Sequence, residues 1–215
     1  MGKKVLITGF DPFGKDTVNP ALEAVKQLDG IVVDDVEIIA QEVPTVFHKS
    51  IEVVITAIEK HQPDVVICVG QAGGRTQVTP ERIAINIDDA RIPDNQQNQP
   101  IDEPVYADGP AAYFTTLPVK HMVLAMKKAG VPAAVSNTAG TFVCNHIFYG
   151  LMHYLTSNAP TVRGGFIHIP YIPEQATDNG APSLSLDTIV QGLKAAAIVA
   201  ANEREDIKVI GGTTH

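Results

Sequence analysis

Residues 64–70 read DVVICVG, a nearly continuous apolar run that ends at a glycine. A strand that helices cover on both faces is apolar throughout, whereas a strand with one wet face alternates apolar and polar residues. The segments from Val5 to Gly9 and from Gly165 to Ile169 are also mostly apolar, with one polar residue each, Thr8 and His168. We therefore predict that these three segments are buried strands of an α/β protein.

Helical patterns separate the predicted strands. Asn19 and Pro20 are typical of a helix start, with Asn as the N-cap and Pro at the first helical position, and this helix runs to about Leu28. Apolar spacing predicts four further helices, at Val46–Lys60, Pro118–Lys128, Thr141–Leu155 and Leu186–Glu203. Shorter strands are predicted at Val36–Ala40, Ile83–Ile87 and Ala133–Ser136, and a long loop at Arg91–Gly109.

This alternation of strands and helices predicts a layered α/β domain with helices on both faces of the sheet. The 215 residues suit one large domain, and the sequence contains no repeat, low-complexity tract or linker. We therefore expect a single catalytic or binding domain over residues 1–215.

The charge and the apolar runs of the sequence limit the kinds of molecule that the protein is expected to bind. The net charge is −8 and no basic run is present, which argues against a nucleic-acid partner. The longest apolar run, Ala195–Ala201, falls far below the roughly 18 residues that span a bilayer. The apolar run Val5–Ile7 is too short for a signal peptide. These features predict a cytoplasmic protein without membrane contact.

The two cysteines lie in different contexts. Cys68 is inside the apolar run of a strand, where free cysteine is usually a buried structural residue. Cys144 follows Gly140 and lies near the start of a predicted helix, where unpaired amides stabilise a thiolate and could bind an oxyanion. Cys144 is thus the candidate nucleophile, although most cysteines at helix starts are inert.

A cysteine nucleophile needs a histidine base and a group that orients the base. His146 is two positions from Cys144 on the helix and therefore points to another face. His168 is better placed, near the end of a strand, where the active sites of α/β proteins gather. Spacing alone does not select the orienting acid, for which the candidates are Glu81, Asp88, Asp89 and Asp102.

No metal-binding signature is present, neither CxxC nor HExxH, so we expect no metal and no cofactor. The glycine-bearing loops GFDPFG and GQAGGR follow strands but match neither a dinucleotide fingerprint nor a P-loop. A nucleoside- or phosphate-binding enzyme is accordingly the weaker interpretation of these loops.

Four segments, taken together and in this order, resemble the pyroglutamyl peptidase type I family. They are Gly9–Pro20 with GFDPFG and NP, Gly70–Asn86 with GQAGGRTQVTPERIAIN, Ser136–Asn145 with SNTAGTFVCN, and Phe166–Pro170 with FIHIP. The resemblance covers nearly the full chain. It implies a three-layer α/β/α sandwich around a twisted, mostly parallel (mixed) sheet, without a metal.

The resemblance also implies an activity and a set of site residues. The family members are cysteine exopeptidases that remove an N-terminal pyroglutamyl residue from peptides, and they commonly form homotetramers. Cys144 would be the nucleophile, His168 the base and Glu81 the orienting acid.

A pyroglutamyl residue is a neutral, flat lactam without a free amine, so its pocket needs apolar walls and a few amide or backbone groups. The resemblance assigns the walls to Phe10, Phe13 and Phe142. It also implies that Gln71, Val143 and Ile92 line the pocket, and Arg91 could support the oxyanion or its loop. The competing hypothesis is a non-catalytic lactam- or peptide-binding module, against which the complete Cys, His and Glu set argues.

Overall fold

The computed structural model describes residues 2–14, 16–178 and 180–211. The strands are β1 (Lys3–Phe10), β2 (Val32–Val33), β3 (Val36–Val43), β4 (Val65–Gln71), β5 (Thr79–Pro80), β6 (Ile83–Ile85), β7 (Ala112–Phe114) and β8 (Arg163–Ile169). The helices are α1 (Pro20–Leu28), α2 (Lys49–His61), α3 (Val119–Lys128), α4 (Val143–Asn158), α5 (Pro173–Ala176) and α6 (Leu186–Asn202). None of the described helices is long and apolar enough to cross a membrane.

The main sheet has six strands in the order β2-β3-β1-β4-β8-β5. Strands β3, β1, β4 and β8 are parallel to one another, and the short edge strands β2 and β5 are antiparallel to their neighbours. The three mostly apolar segments of the sequence form the neighbouring strands β1, β4 and β8 inside this sheet. The prediction of a mixed, mostly parallel sheet is thus confirmed.

Helices cover both faces of this sheet, which gives the three predicted layers. In β4, Val65, Ile67 and Val69 pack in a cluster with α1, α3 and α6, whereas Val66 and Cys68 face a second cluster with α2 and α4. Each face of the strand therefore contributes to a core, and this is the reason why residues 65–69 are all apolar.

Tertiary hydrogen bonds correct the predicted start of the second helix. The apolar spacing predicts this helix from Val46, but α2 begins at Lys49. The amide of Phe47 donates to Asp94 Oδ2 at 2.9 Å, and the amide of His48 donates to His146 Nε2 at 2.8 Å. His48 also has a positive φ of 62°, which an α-helix does not tolerate. Local spacing contains no information about these distant acceptors.

The prediction of a strand at Ala133–Ser136 is wrong. The segment instead makes isolated bridges from Ala133 to Val78 and from Ser136 to Glu81. Pro132 removes a backbone donor from this segment, and the neighbouring strand β5 has only two residues, so no longer ladder forms. The predicted strand around Ile83–Ile87 exists as β6, which pairs with β7 in a separate two-stranded sheet.

Candidate active site

Cys144 is the second residue of α4, directly over the carboxyl end of β4. Gly140 makes the turn before the helix with a φ of 75°, a conformation that favours glycine. The thiol approaches Gly70 so closely that a Cβ on Gly70 would lie 2.8 Å from Cys144 Sγ. Glycine at both positions therefore brings the helix start and its free amides onto the end of the sheet.

His168 lies at the carboxyl end of β8 and is 4% exposed. Its Nδ1 is 2.7 Å from Oε1 of Glu81, which is completely buried. A carboxylate only accepts hydrogen bonds, so Nδ1 carries the proton and Nε2 remains free. This tautomer is the one that a general base next to a thiol requires.

Strand β5 explains why Glu81, among four candidate acids, meets His168. β5 runs antiparallel to β8 with Thr79 opposite His168, and the amide of Glu81 then donates to Phe166 O at 2.9 Å. Of the other three acids, Asp88 contacts His146 instead, and Asp89 and Asp102 are exposed on the surface. The edge strand, which is too short to predict, thus selects the acid.

Arg75 is a site residue that the sequence reasoning missed. Its Nη1 lies 2.8 Å from Glu81 Oε1, and its Nη2 donates to Thr138 O at 3.0 Å. It also donates to Thr79 Oγ1. A completely buried carboxylate needs a nearby cation to stay ionised. A search of the sequence for a cation to pair with Glu81 could therefore have indicated Arg75.

Burial controls the protonation of the cysteine and histidine. Burial raises the pKa of Cys144 to about 12, and the charge of Glu81 adds to this effect while Arg75 opposes it. Burial also lowers the pKa of His168, against the opposing effect of Glu81. These directions favour a thiol and a neutral imidazole as the resting pair.

Cys144 and His168 open onto one cavity of about 160 Å³. Five of the six residues predicted for the substrate pocket line it, namely Phe10, Phe13, Gln71, Phe142 and Val143. Asn19 and Thr45 also line the cavity and were not predicted. The ring centroids of Phe13 and Phe142 are 6.2 Å apart, so these two rings form one aromatic wall.

The sixth predicted pocket residue lies farther out. Ile92 and Arg91 are exposed and line a wider groove of about 760 Å³ that shares Phe13, Gln71 and Phe142 with the inner cavity. Neither residue lines the cavity beside Cys144. Among the described residues, no group of three or more His, Cys, Asp or Glu side chains could hold a metal ion.

An α/β sheet with a cysteine at a helix start and a buried histidine–carboxylate pair beside the same cavity is typical of a cysteine hydrolase. The family model described as pyroglutamyl peptidase matches residues 3–203 of this chain. Pyrrolidone-carboxylate peptidase of Bacillus subtilis (strain 168) is 62% identical over 215 residues, which is 100% of both chains. The chain belongs to the pyroglutamyl peptidase family.

Solved structures agree with this membership. Pyroglutamyl peptidase I from Bacillus amyloliquefaciens superposes with a TM-score of 0.96 at 61% identity, over 97% of this chain and 100% of that one. A mutant pyrrolidone carboxyl peptidase from the hyperthermophile Pyrococcus furiosus gives a TM-score of 0.89 at 41% identity, over 93% and 98% of the two chains. The predicted fold class is confirmed by these likenesses.

Proposed function

We propose that Cys144, His168 and Glu81 are the groups with which this cysteine peptidase hydrolyses the bond after an N-terminal pyroglutamyl residue. One observation carries the assignment. The 2.7 Å contact between His168 Nδ1 and Glu81 leaves Nε2 of His168 unprotonated, and His168 and Cys144 line the same cavity.

The lining of the cavity supports a lactam as the group that is bound. No Asp, Glu, Lys or Arg is among the described residues that line the inner cavity, whereas an aminopeptidase pocket would need a carboxylate for the free amine. The aromatic wall of Phe13 and Phe142 suits a flat ring, and Gln71 offers an amide to its polar edge. Ile92 would contact the substrate at the mouth of the cavity.

The reaction begins from the neutral thiol. Cys144 Sγ attacks the carbonyl carbon between pyroglutamate and the next residue, while Nε2 of His168 takes the thiol proton. Free amides at the start of α4 bind the oxyanion, and the loss of one such donor typically costs about 3 kcal/mol. His168 then protonates the leaving amine, and water hydrolyses the thioester to release pyroglutamate and the free thiol.

Arg75 and Arg91 would act in different ways. Arg75 holds the charge on Glu81 and so keeps the imidazole in its productive tautomer. Arg91 lines the outer groove, and we therefore assign it to the support of its loop and not to the oxyanion.

The molecular context of this activity is also part of the proposal. We propose that residues 1–215 form a single catalytic domain, although Met1 and residues 212–215 lie outside the described residues. The enzyme would act on peptides with N-terminal pyroglutamate, in the cytoplasm, as a homotetramer. It would need no cofactor and would bind neither nucleic acid nor membrane.

The test is the release of a fluorescent amine from a pyroglutamyl amide, beside the matching prolyl and glutamyl amides. We expect turnover of the pyroglutamyl compound alone, its loss after treatment with iodoacetamide, and its near-complete loss in a folded Cys144→Ser variant. Cys68→Ala is the control, because Cys68 is buried away from the cavity and should not affect turnover. Binding of the lactam without turnover would favour the non-catalytic binding module.

A further inference from the structure

A second buried histidine–carboxylate pair lies close to the nucleophile, because its histidine, His146, is two residues after Cys144 on α4. His146 is completely buried and Asp88 is 3% exposed, and Nδ1 of His146 is 2.7 Å from Oδ2 of Asp88. The proposed mechanism uses neither residue. From the sequence, His146 is expected only to point to another face of the helix than Cys144.

The hydrogen bonds of His146 define its protonation. Nε2 accepts a hydrogen bond from the amide of His48 at 2.8 Å, so this nitrogen carries no proton. Nδ1 faces a carboxylate and must be the donor. Both nitrogens are thus occupied in a neutral ring, and His146 has no free nitrogen with which it could accept the proton of Cys144.

The ring of His146 is connected to the aromatic wall of the cavity. Its centroid is 5.2 Å from that of Phe47, in an edge-to-face contact. Phe47 in turn makes an edge-to-face contact with Phe142, at 5.5 Å. Phe142 lies beside Phe13 in the aromatic wall of the cavity. A continuous series of ring contacts therefore connects the His146–Asp88 pair to the aromatic wall against which the lactam would lie.

The backbone around Phe47 depends on the same helix. The amide of His48 is bound by a side chain of α4, the helix that carries Cys144. Asp88, the partner of His146, is followed by Asp89, whose amide donates to Thr141 O at 2.9 Å just before α4. Residues 47–48 and residues 88–89 are thereby both attached to the first turns of α4.

We propose that His146 is a positioning residue that sets the aromatic wall of the lactam pocket by binding the amide of His48. In this role Asp88 holds the imidazole in the tautomer that accepts this hydrogen bond. The ring of His146 supports Phe47, and Phe47 supports Phe142. The inference rests on the proposed function, since it concerns the pocket for the pyroglutamyl ring.

Two substitutions separate the two hydrogen bonds of the ring. Asn at position 146 can still donate to Asp88 but offers no acceptor to the amide of His48. Gln is long enough to offer its carbonyl oxygen near the former position of Nε2. His153→Asn is the matched control, because His153 lies two turns farther along α4 and contacts Tyr113 and Tyr106 instead.

The readouts must report ring binding separately from the chemistry. The first is the KM and kcat for a pyroglutamyl amide. The second is the concentration of 2-pyrrolidone, the bare lactam, that protects Cys144 from iodoacetamide. The third is the alkylation rate without lactam, which reports the thiol and not the wall. Thermal unfolding shows that each variant is folded at the assay temperature.

His146→Asn should raise both KM and the protecting concentration of 2-pyrrolidone by about fivefold or more, because small displacements of a binding surface are costly. The kcat and the unprotected alkylation rate should change by less than about twofold. His146→Gln should restore part of the binding, because it returns the acceptor for the amide of His48 but not the ring, and His153→Asn should leave the binding unchanged. A merely structural histidine would lower the unfolding temperature without this selective change in binding.

Several outcomes would overturn the proposal. They are wild-type KM and protection in folded His146→Asn, equal losses in the Asn and Gln variants, and a loss in kcat alone. If His146→Asn does not fold, Phe47→Leu replaces it, since this change removes the ring that supports Phe142 and should weaken protection in the same way. Wild-type protection in Phe47→Leu would likewise reject the inference.

The wild-type protein separates this inference from the proposed function. Absence of turnover, with Cys144 still protected by 2-pyrrolidone, would reject the peptidase mechanism and leave the role of His146 to be decided by the variants. Absence of both turnover and protection would reject the lactam pocket and the role of His146 together. Normal wild-type behaviour with unaffected variants would reject the role of His146 alone.

Discussion

At the scale of single residues, the site combines a buried negative charge with two neutral groups. Glu81 is completely buried and has Arg75 and His168 on the same oxygen, Oε1. Burial raises the pKa of Cys144 and lowers that of His168, so both are uncharged at neutral pH. The proton that leaves the thiol during attack therefore moves to an imidazole that is ready to accept it.

This protonation state predicts the pH dependence of alkylation. Because the pKa of Cys144 is raised to about 12, its thiolate fraction increases by about tenfold per pH unit between about pH 6 and pH 9. The rate of iodoacetamide labelling at Cys144 should rise with the same slope and without a plateau. Mass spectrometry of tryptic peptides would measure it, with Cys68 as the unlabelled internal control. A plateau near neutral pH would instead indicate a thiolate–imidazolium pair.

Arg75 is expected to matter for turnover through Glu81. Arg75→Gln removes the cation beside a buried carboxylate, and kcat/KM should fall by roughly tenfold or more as the orientation of His168 is lost. Arg75→Lys should recover part of this loss, since it keeps the charge but not the forked geometry. Steady-state kinetics on the pyroglutamyl amide would measure both. Wild-type kinetics in Arg75→Gln would show that Glu81 does not depend on this partner.

At the scale of the elements, three strand ends and one helix start form the site. Strand β4 ends under the thiol, β8 contributes His168, and β5 contributes the segment that leads to Glu81. The first turn of α4 contributes Cys144 and free amides. The sequence predicts β4, β8 and α4 because each has a local apolar pattern, whereas β5 has two residues and no pattern.

The close contact between β4 and α4 gives a test at this scale. Gly70→Ala would add a Cβ 2.8 Å from both Cys144 Sγ and Phe166 Cζ, so the thiol must move. We expect kcat/KM to fall by roughly a hundredfold in a protein that still folds, because such displacements of a reacting atom are costly.

Gly164→Ala is the matched control for Gly70→Ala. Its Cβ would meet Leu155 Cδ1 at 2.5 Å, so it crowds the same core without touching the thiol. Circular dichroism and kinetics should show a destabilised protein with an unchanged turnover number. Equal losses of turnover in both variants would mean that crowding of the sheet, and not displacement of Cys144, is responsible.

At the scale of the whole molecule, the two cores contribute differently. The cluster with α1, α3 and α6 lies away from the inner cavity, whereas the cluster with α2 and α4 includes Phe10 and borders the site. Several large apolar side chains remain outside both cores, and Phe114 and Leu124 are 67% and 48% exposed. Single exposed apolar side chains are common on protein surfaces, so these residues do not by themselves define a subunit interface.

The proposed homotetramer gives a direct prediction of mass. Analytical ultracentrifugation at micromolar concentration should give four times the 23.0 kDa of one chain. Cys144→Ser should sediment in the same way, because Cys144 lines the inner cavity and the substitution changes one atom there. A single species with the mass of one chain would contradict the tetramer.

The sequence by itself determined the central strands, the layered fold class, and the family resemblance with its triad. Apolar runs, an Asn-Pro helix start and contiguous motifs are local features, since each depends on residues that are close in the chain. Five of the six proposed pocket residues line the inner cavity; four of them lie in the quoted GFDPFG and SNTAGTFVCN motifs, and Gln71 is the second residue of the GQAGGR loop.

Only the tertiary structure shows which acid contacts His168 and which cation contacts that acid. It also shows why α2 begins later in the chain than its apolar spacing predicts. Each of these depends on groups far apart in the chain, such as Glu81 with His168 and the amide of His48 with His146. The same holds for the pKa of Cys144, which burial by distant segments raises. Long-range contacts and desolvation exist only in the folded chain, and no local pattern contains them.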